Sequence, residues 1–450
     1  ARTGTDRWQT RNSPTLDIAG YASATSAAAG ETLRFYVTSS ADPAFTIEIF
    51  RMGWYGGLGG RRMTDAVEVT GGAQDACPPD AERGLIRCNW RESYAITIPN
   101  DWVSGFYLAK LTGSPSGNQN HILFVVRDGR RAPLVFQSMV TTYQAYNNWG
   151  GKSLYPSNST GPPAKAVSFD RPYSTGTGAG QFLLAWEYPM VRFLEREGYD
   201  VTYITNIDTH ARPELLRRGT AFLSVGHDEY WSWEMRENVE AARDAGVHLG
   251  FFSANTCYWQ IRYEDNLRTM VSHKETALST DPILQDGNPL NDHLTTTLWR
   301  NVPVNSPEEL LIGVMYVQSP IDGDIVIDNP DHWVFANTGL KKGDVLKGLL
   351  GYEVDAIVGR ASPPGLIRLA HSPFVSADNE TGTSDMTIYT ARSGAIVFAT
   401  GTIQWSWGLD EYGPRSRGNR TSAAAQQITR NVLNRMSAGP SGPRRRSVRP

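Results

Sequence analysis

Charge is scarce in this chain, and neither sign dominates. Only 20% of its 450 residues are charged, and 43 basic against 46 acidic side chains leave a formal net charge of −3. No global basic field exists to hold a nucleic acid or an anionic membrane, so neither is expected as a partner. Long apolar runs are missing too: the best stretches, such as Ala395 to Ala399, are strand-sized, far short of the ~20 residues that span a bilayer. Three cysteines cannot make a disulfide scaffold, although Cys77 and Cys88 share one Pro- and Asp-rich loop and could close a small ring. Two free thiols in a reducing compartment would give the same sequence. Histidine numbers 8, scattered, so no His-rich metal site is expected. The chain begins at Ala1 rather than Met, as an exported chain that has lost its signal would, while the glycosylation-type tripeptides at Asn158, Asn379 and Asn419 add little.

What is plentiful is aromatic and flexible: 13 Trp, 19 Tyr, 15 Phe and 43 Gly, with 40% hydrophobic residues overall. That composition describes a folded, loop-rich protein and excludes disorder or coiled coil. At roughly 150 residues per domain the length allows about three domains. Periodicity reduces the expectation to two. After an N-terminal segment, 1–29, the runs Leu33 to Val37, Phe45 to Arg51, Tyr94 to Ile98, Gly105 to Leu111 and His121 to Val126 are short and bounded by turn residues, which predicts an Ig-like β-sandwich over 30–128. Within it Arg51 to Arg61 carries five glycines, either a hairpin capped by Trp54 and Tyr55 or a lid or interface loop.

From residue 133 the pattern changes to strand, helix, strand. Leu134 to Val140, Val201 to Ile204, Ala221 to Val225 and Val247 to Phe252 read as buried strands, separated by helices at Gln181 to Glu197, Arg212 to Arg218 and Trp233 to Ala245. Residues 394–402 add a strand and Ala423 to Met436 a closing helix, so 133–436 is expected to be an α/β domain on a parallel sheet with right-handed crossovers. Residues 264–345 lack periodicity and read as an insertion walling the site, and 437–450, with its arginines, as a disordered basic tail.

In open α/β sheets ligands bind beyond the carboxyl ends of the strands. Those ends are polar here: Thr142-Tyr143-Gln144-Ala145-Tyr146, Gly226-His227-Asp228-Glu229-Tyr230-Trp231-Ser232, Ser253-Ala254-Asn255 and Thr402-Ile403-Gln404-Trp405-Ser406-Trp407. A site for a small-molecule substrate is expected on this rim. Its densest titratable cluster is His227, Asp228 and Glu229, though Asp228 or Glu229 could instead cap the helix that starts at Trp233. The cluster is neither His-Glu-x-x-His nor part of a zinc-deaminase signature, so a metal would need oxygen donors: carboxylates, carbonyls or tyrosinates. Tyrosinate suits a hard, highly charged ion, and ferric iron is the natural candidate. Cys257 near Asn255 and His227 could suggest a thiol nucleophile, but it lacks the strand-end elbow of such enzymes and reads as a packed thiol. A carbohydrate-active enzyme using Glu229 with Glu353 and a Trp-rich rim (Trp149, Trp231, Trp259, Trp405 and Trp407) is the alternative reading.

Arg51-Met-Gly-Trp-Tyr-Gly-Gly-Leu-Gly-Gly-Arg61, Thr142 to Tyr155, Gly226 to Ser232 and Ser253 to Asn255 together resemble the catalytic large-subunit region of the N,N-dimethylformamidase family, over most of residues 30–436. The resemblance implies a β-sandwich followed by a glutamine-amidotransferase-like, flavodoxin-like α/β domain, and an amide hydrolase with one mononuclear iron (Fe³⁺) held by two tyrosines and a glutamate. Carried over, Glu229 is the carboxylate ligand, Tyr146 one tyrosine and Tyr107 the second, with Tyr143 competing for either place. His227 and Asn255 become substrate-orienting groups and Glu353 the general base. Relative to that family, neither its additional N-terminal domain nor its small subunit is expected here.

Overall fold

The computed structural model describes residues 2–11, 14–175, 179–359, 361–413 and 418–437, without the side chains of 179–182. The expected basic tail, from 438 onward, lies outside the described residues.

Alternation builds the first half. In Thr32–Ser39 buried and outward residues alternate, so Leu33, Phe35 and Val37 all point inward. All five predicted runs are strands. Numbered along the chain they are β3 (Thr32–Ser39), β4 (Ala44–Met52), β7 (Tyr94–Thr97), β8 (Gly105–Ser114) and β9 (Gln119–Arg127), joined by β1 (Ile18–Ala22), β2 (Ser26–Ala28), β5 (Gly60–Arg62) and β6 (Val67–Thr70). One sheet runs β1-β3-β7 and the other β2-β9-β8-β4-β5, with β6 on β4. Between them Phe35, Phe45, Ile47, Tyr107 and Phe124 form the core of a sandwich. Cys77 and Cys88 are bridged, in a loop that packs on Tyr21 and Trp90.

The second half is α/β. Its strands β10 (Leu134–Ser138), β12 (Val201–Thr205), β13 (Ala221–Gly226), β15 (His248–Ser253) and β22 (Ile396–Ala399) are parallel and lie in the order β12-β10-β13-β15-β22. Between them run α1 (Val140–Tyr146), α2 (Tyr188–Glu197), α3 (Asn206–Ala211) and α4 (Trp233–Asp244). Gly198 and Gly246 take positive φ where the sequence ends the second and fourth of these helices. The sheet is not purely parallel. Beyond β22 it continues antiparallel into β21 (Thr381–Thr390) and β20 (Ile367–Val375), strands whose periodicity gave no warning.

Smaller pieces complete the chain. A four-stranded sheet joins β11 (Ala166–Ser168), β17 (Thr269–Val271), β16 (Trp259–Glu264) and β14 (Tyr230–Ser232). Within the expected insertion, 264–345, β17 is followed by short helices, α5 (Ala277–Thr280), α6 (Pro282–Gln285) and α7 (Glu309–Ile312), and then by β18 (Met315–Val326), which pairs with β19 (Val345–Ala356) as a long antiparallel arm. Helix α8 (Ala423–Ser437) closes the fold as the periodicity requires.

The glycine-rich segment 51–61 is an interface loop. Gly59, at φ +84°, brings its carbonyl to the Tyr188 hydroxyl at 2.5 Å, and a Cβ on that glycine would lie 2.4 Å from the same oxygen. Arg192 donates to the Gly57 carbonyl, the Trp54 amide donates to Glu195, and Arg51 pairs with Glu195 at 2.7 Å. The loop therefore grips α2. Beneath it the core is continuous: Phe106 of the sandwich meets Phe136 of β10 edge-on at 5.7 Å between centroids.

Candidate functional site

The Gly226 to Ser232 turn is built around its middle carboxylate. Gly226 has φ +79° and passes so close to Trp186 that a Cβ would lie 2.6 Å from that residue, so glycine lets the chain leave β13 sharply. Asp228 then points into the sheet, accepting hydrogen bonds from Gln137 Nε2 at 2.6 Å, Ser224 Oγ at 2.9 Å and Asn206 Nδ2 at 2.9 Å. It caps no helix; Ser232 does, taking the Met235 amide at the start of α4. Burial raises the Asp228 pKa even against these donors.

With Asp228 anchored, its neighbours project toward the strand ends. His227 Nε2 lies 2.9 Å from Glu353 Oε2 and 3.2 Å from Glu229 Oε2. Burial disfavours the imidazolium, but the two carboxylates outweigh it and lift the His227 pKa to about 10. Glu353 Oε2 also accepts from Asn255 Nδ2 at 2.7 Å. Asn255 sits at φ +50°, held there by its own amide donating to Asp355 Oδ1 at 2.7 Å. Burial raises that aspartate to about 7. One segment of β19 thus supplies both the partner of His227 and the brace of Asn255.

Phenols close the other side of Glu229. Tyr155 donates to Glu229 Oε1 at 2.8 Å, Tyr230 donates to the Tyr155 oxygen at 2.5 Å, and Tyr146 stacks on Tyr155 with 4.3 Å between centroids. The Tyr146 ring also lies 5.5 Å from that of His227. Burial, and then the Glu229 charge, push all three phenols well above their ordinary pKa. Glu229 itself is lowered: burial opposes its charge, but His227, Lys274 and the Tyr155 hydroxyl together prevail. Lys274, nearly buried at 6%, holds Nζ 3.3 Å above the centre of the Tyr155 ring and 4.9 Å from that of Trp259.

Five of the six expected site residues, His227, Asn255, Glu353, Tyr146 and Glu229, therefore converge. Tyr107 does not. Its ring stacks between Trp102 and Phe124 in the sandwich core, and its hydroxyl donates to the Val103 carbonyl at 2.7 Å, so it is a corner of the sandwich and no partner of Glu229. Tyr143 sets its ring edge-on to Tyr173 instead. The phenol beside Glu229 is Tyr155, present in the Gly151-Lys152-Ser153-Leu154-Tyr155 run but nine residues past the one singled out there. Lys274 had no signal at all, lying in the aperiodic stretch. Cys257 is a packed thiol, its pKa pushed well up by burial. Of the five rim tryptophans Trp231, Trp259, Trp405 and Trp407 are at most 4% exposed, and only Trp149, half-buried against Trp90, is left to the sugar-stacking rim that a carbohydrate-active enzyme would use.

Among the described residues no three His, Cys, Asp or Glu side chains group as a metal site. The oxygen donors grouped beside the Glu229 carboxylate are phenols: Tyr155 bonded to it, Tyr230 on the Tyr155 oxygen and Tyr146 stacked on Tyr155.

A family model described as "N,N-dimethylformamidase beta subunit-like, C-terminal" matches residues 46–420. Two curated relatives, both named N,N-dimethylformamidase beta subunit, come from Alcaligenes sp and Paracoccus aminophilus; they are 21% and 22% identical over 80% and 78% of this chain. The matches cover 56% and 54% of those proteins, so the chain spans about half the length of the curated relatives it matches.

Proposed function

This chain belongs to the N,N-dimethylformamidase beta subunit-like family, and from that premise we propose that it hydrolyses a C–N amide bond in a small substrate. The observation that carries the reading is the linked set Glu229, His227, Glu353 and Asn255, drawn from the ends of β13 and β15 and from within β19, and buried together. Hydrolysis needs a base for the attacking water, an acid for the departing amine and a donor for the carbonyl oxygen. Glu353 fits the base: Oε2 is engaged by His227 and Asn255, which leaves Oε1 to take the water proton. His227, held as imidazolium between two carboxylates, fits the acid, giving its proton to the amine nitrogen as the C–N bond breaks and recovering one from Glu353. Asn255 spends one Nδ2 hydrogen on Glu353 and keeps the other for the carbonyl oxygen. Water's hydroxyl thus goes to the acyl carbon and its proton, by way of Glu353 and His227, to the amine.

An iron site fits the donor set, with one change. Tyr146, Tyr155 and Glu229 would hold the ion, three oxygens of which two become anionic only beside a strong cation, and Tyr107 takes no part. Bound there, ferric iron supplies Lewis acidity toward a carbonyl or water oxygen. The Cys77–Cys88 bridge supports reading the protein as exported.

Amine or ammonia release from formamide, N-methylformamide, N,N-dimethylformamide and acetamide tests the activity, and absence of release from all four rejects it. Iron content and visible charge-transfer absorption test the donor set. Stoichiometric iron without colour rejects phenolate ligation, and colour surviving Tyr155→Phe together with Tyr146→Phe rejects these two phenols as the ligands.

A further inference from the structure

Gln404 takes no part in the chemistry above, yet its side-chain amide is aimed by a cation. It follows β22, is fully buried, and opens a short turn, Trp405–Gly408, that packs against β13, β15 and β19. Those three strands carry, at or just beyond their ends or within them, His227, Asn255 and Glu353. The backbone of Gln404 donates to the Gly351 carbonyl at 2.9 Å, and Ile403 donates to the carbonyl of Glu353 itself. Gln404 is thereby tied to the stretch of β19 that carries Glu353, which is itself buried. Gln404 Nε2 lies beside Gly351, 3.0 Å from where a Cβ on that glycine would stand, a position that the Ile321 carbonyl of β18 also crowds.

The orientation of the amide is fixed chemically. Arg420 Nη1 donates to Gln404 Oε1 at 2.8 Å, and a guanidinium has no acceptor to offer, so the oxygen faces Arg420 and the NH₂ group faces the other way. Arg420 is in turn tied to Asp322 at 2.7 Å and to the Gly348 carbonyl, with its guanidinium 5.5 Å over the Trp407 ring. The far end of the amide has no such partner: among the described residues Gln404 Nε2 is a fully buried donor with no hydrogen bond. An unmade bond of that kind is costly, and a structure tolerates it where a ligand supplies the acceptor.

We propose that Gln404 is a substrate-binding donor, its Nε2–H donating to the carbonyl oxygen of the amide being cleaved, and that Arg420 is the positioning residue that keeps the NH₂ group facing the site. The inference rests on the amide-hydrolase reading and adds to it a second carbonyl donor besides Asn255. It also states what the ligand must present: an acceptor oxygen, which every carboxamide has.

The experiment compares wild type, Gln404→Glu and Gln404→Met in the holoenzyme, with the four amides named above. Glu keeps the bond to Arg420 but offers no donor; Met keeps the volume but neither bond. Both are expected to lose about a hundredfold in kcat/KM, the usual effect of deleting one donor to a developing oxyanion, while urea unfolding shows Gln404→Glu folded. Arg420→Met is expected to lose less, with Arg420→Lys restoring most of the loss, because a lysine still donates to Oε1 and aims the amide. If wild type is active and either folded Gln404 variant stays within threefold of it, the proposal is overturned and the hydrolase reading stands. If wild type cleaves none of the amides, the hydrolase reading falls and binding decides: N,N-dimethylformamide titrated against tryptophan fluorescence should bind wild type at least tenfold more tightly than Gln404→Glu, and equal binding overturns the proposal on its own account.

Discussion

Replacing Asp228 by asparagine changes one atom and almost no volume, and it tests whether that carboxylate is the keystone of the site's turn. The carboxylate receives three donors, Gln137 Nε2 and Ser224 Oγ on one oxygen and Asn206 Nδ2 on the other. An asparagine has one acceptor oxygen. With it facing Gln137 and Ser224, its NH₂ group meets the NH₂ group of Asn206, which cannot turn over because its own Oδ1 already accepts from the Thr141 amide at 3.2 Å. Turned the other way, the new NH₂ meets Gln137, whose Oε1 is engaged by Thr209. Either way at least one buried amide donor is stranded, which costs ~1–3 kcal/mol, and the bonds that remain lose their charge assistance, another ~1–2 kcal/mol. Relief of a desolvated charge returns part of this, so a net loss of about 3 kcal/mol is expected. A shift of even 1 Å in the flanking His227 and Glu229 would lower kcat about a hundredfold. Urea unfolding followed by tryptophan fluorescence reads the first quantity and amine release the second. The decisive comparison is Asp228→Asn combined with Asn206→Asp, which returns a carboxylate to face the new amide and keeps the acceptor for Thr141. It should recover at least half of the lost stability. Asp228→Asn within 1 kcal/mol of wild type, or a double variant no better than the single, would refute the reasoning.

Four other predictions follow from the same geometry. Asn255→Ala should lower kcat about a hundredfold, since a donor to a developing oxyanion is typically worth ~3 kcal/mol; unchanged kcat in a folded variant would remove Asn255 from the chemistry. Cys77→Ser with Cys88→Ser opens a loop of sequence separation 11, for which chain entropy gives a loss of about 3 kcal/mol, read as a lower unfolding midpoint that added reductant reproduces in wild type and leaves unchanged in the variant. His121 donates from Nε2 to the Trp8 carbonyl at 2.6 Å, and burial, aided by Lys110, depresses its pKa from 6.5 to about 4. Because the unfolded chain takes up that proton first, its contribution is fully present above pH 6.5 and is lost as pH falls toward 4, by at most ~3 kcal/mol, so His121→Gln should flatten the stability profile in that window. Gly59→Ala should weaken the grip on α2 by ~1–3 kcal/mol, since it adds a Cβ 2.4 Å from the Tyr188 hydroxyl at φ +84°, whereas Gly57→Ala, with nothing within 4 Å of the new carbon, bears only the cost of its positive φ.

The predicted strands and helices stood where periodicity was strong. Leu33, Phe35 and Val37 alternate as a half-buried strand must, and the apolar runs at 134–138, 201–205 and 221–226 are buried parallel strands flanked by turn chemistry. Strands β18 to β21 escaped notice because their inward faces are broken by Ser, Asp and Gly, as in Thr-Gly-Thr-Ser-Asp at 381–385, where polar groups satisfy one another inside the sheet. The site was legible as far as strand ends are local: Glu229, His227 and Asn255 each follow a readable strand. Tyr107 was misassigned because a phenol's neighbours across a sandwich leave no local trace, and Asp228 read as a possible cap because the donors to a carboxylate from distant segments cannot be seen from its own. Lys274 and Gln404 depend on contacts to distant rings and guanidinium groups, which no window of sequence contains.

The arm β18–β19 gives the site a kinetic character. Asn255 and Glu353 are 98 positions apart and join only after the whole stretch between them has found its place. Closing so long a loop is slow compared with forming the helices of the α/β layer, and contacts of high sequence separation are the late ones in folding. Recovery of activity on refolding should therefore lag recovery of helical circular dichroism, and a chain nicked within the 264–345 stretch would lose the covalent path that returns Glu353 to His227. Catalytic competence is in this sense a report on the last long-range closure of the chain.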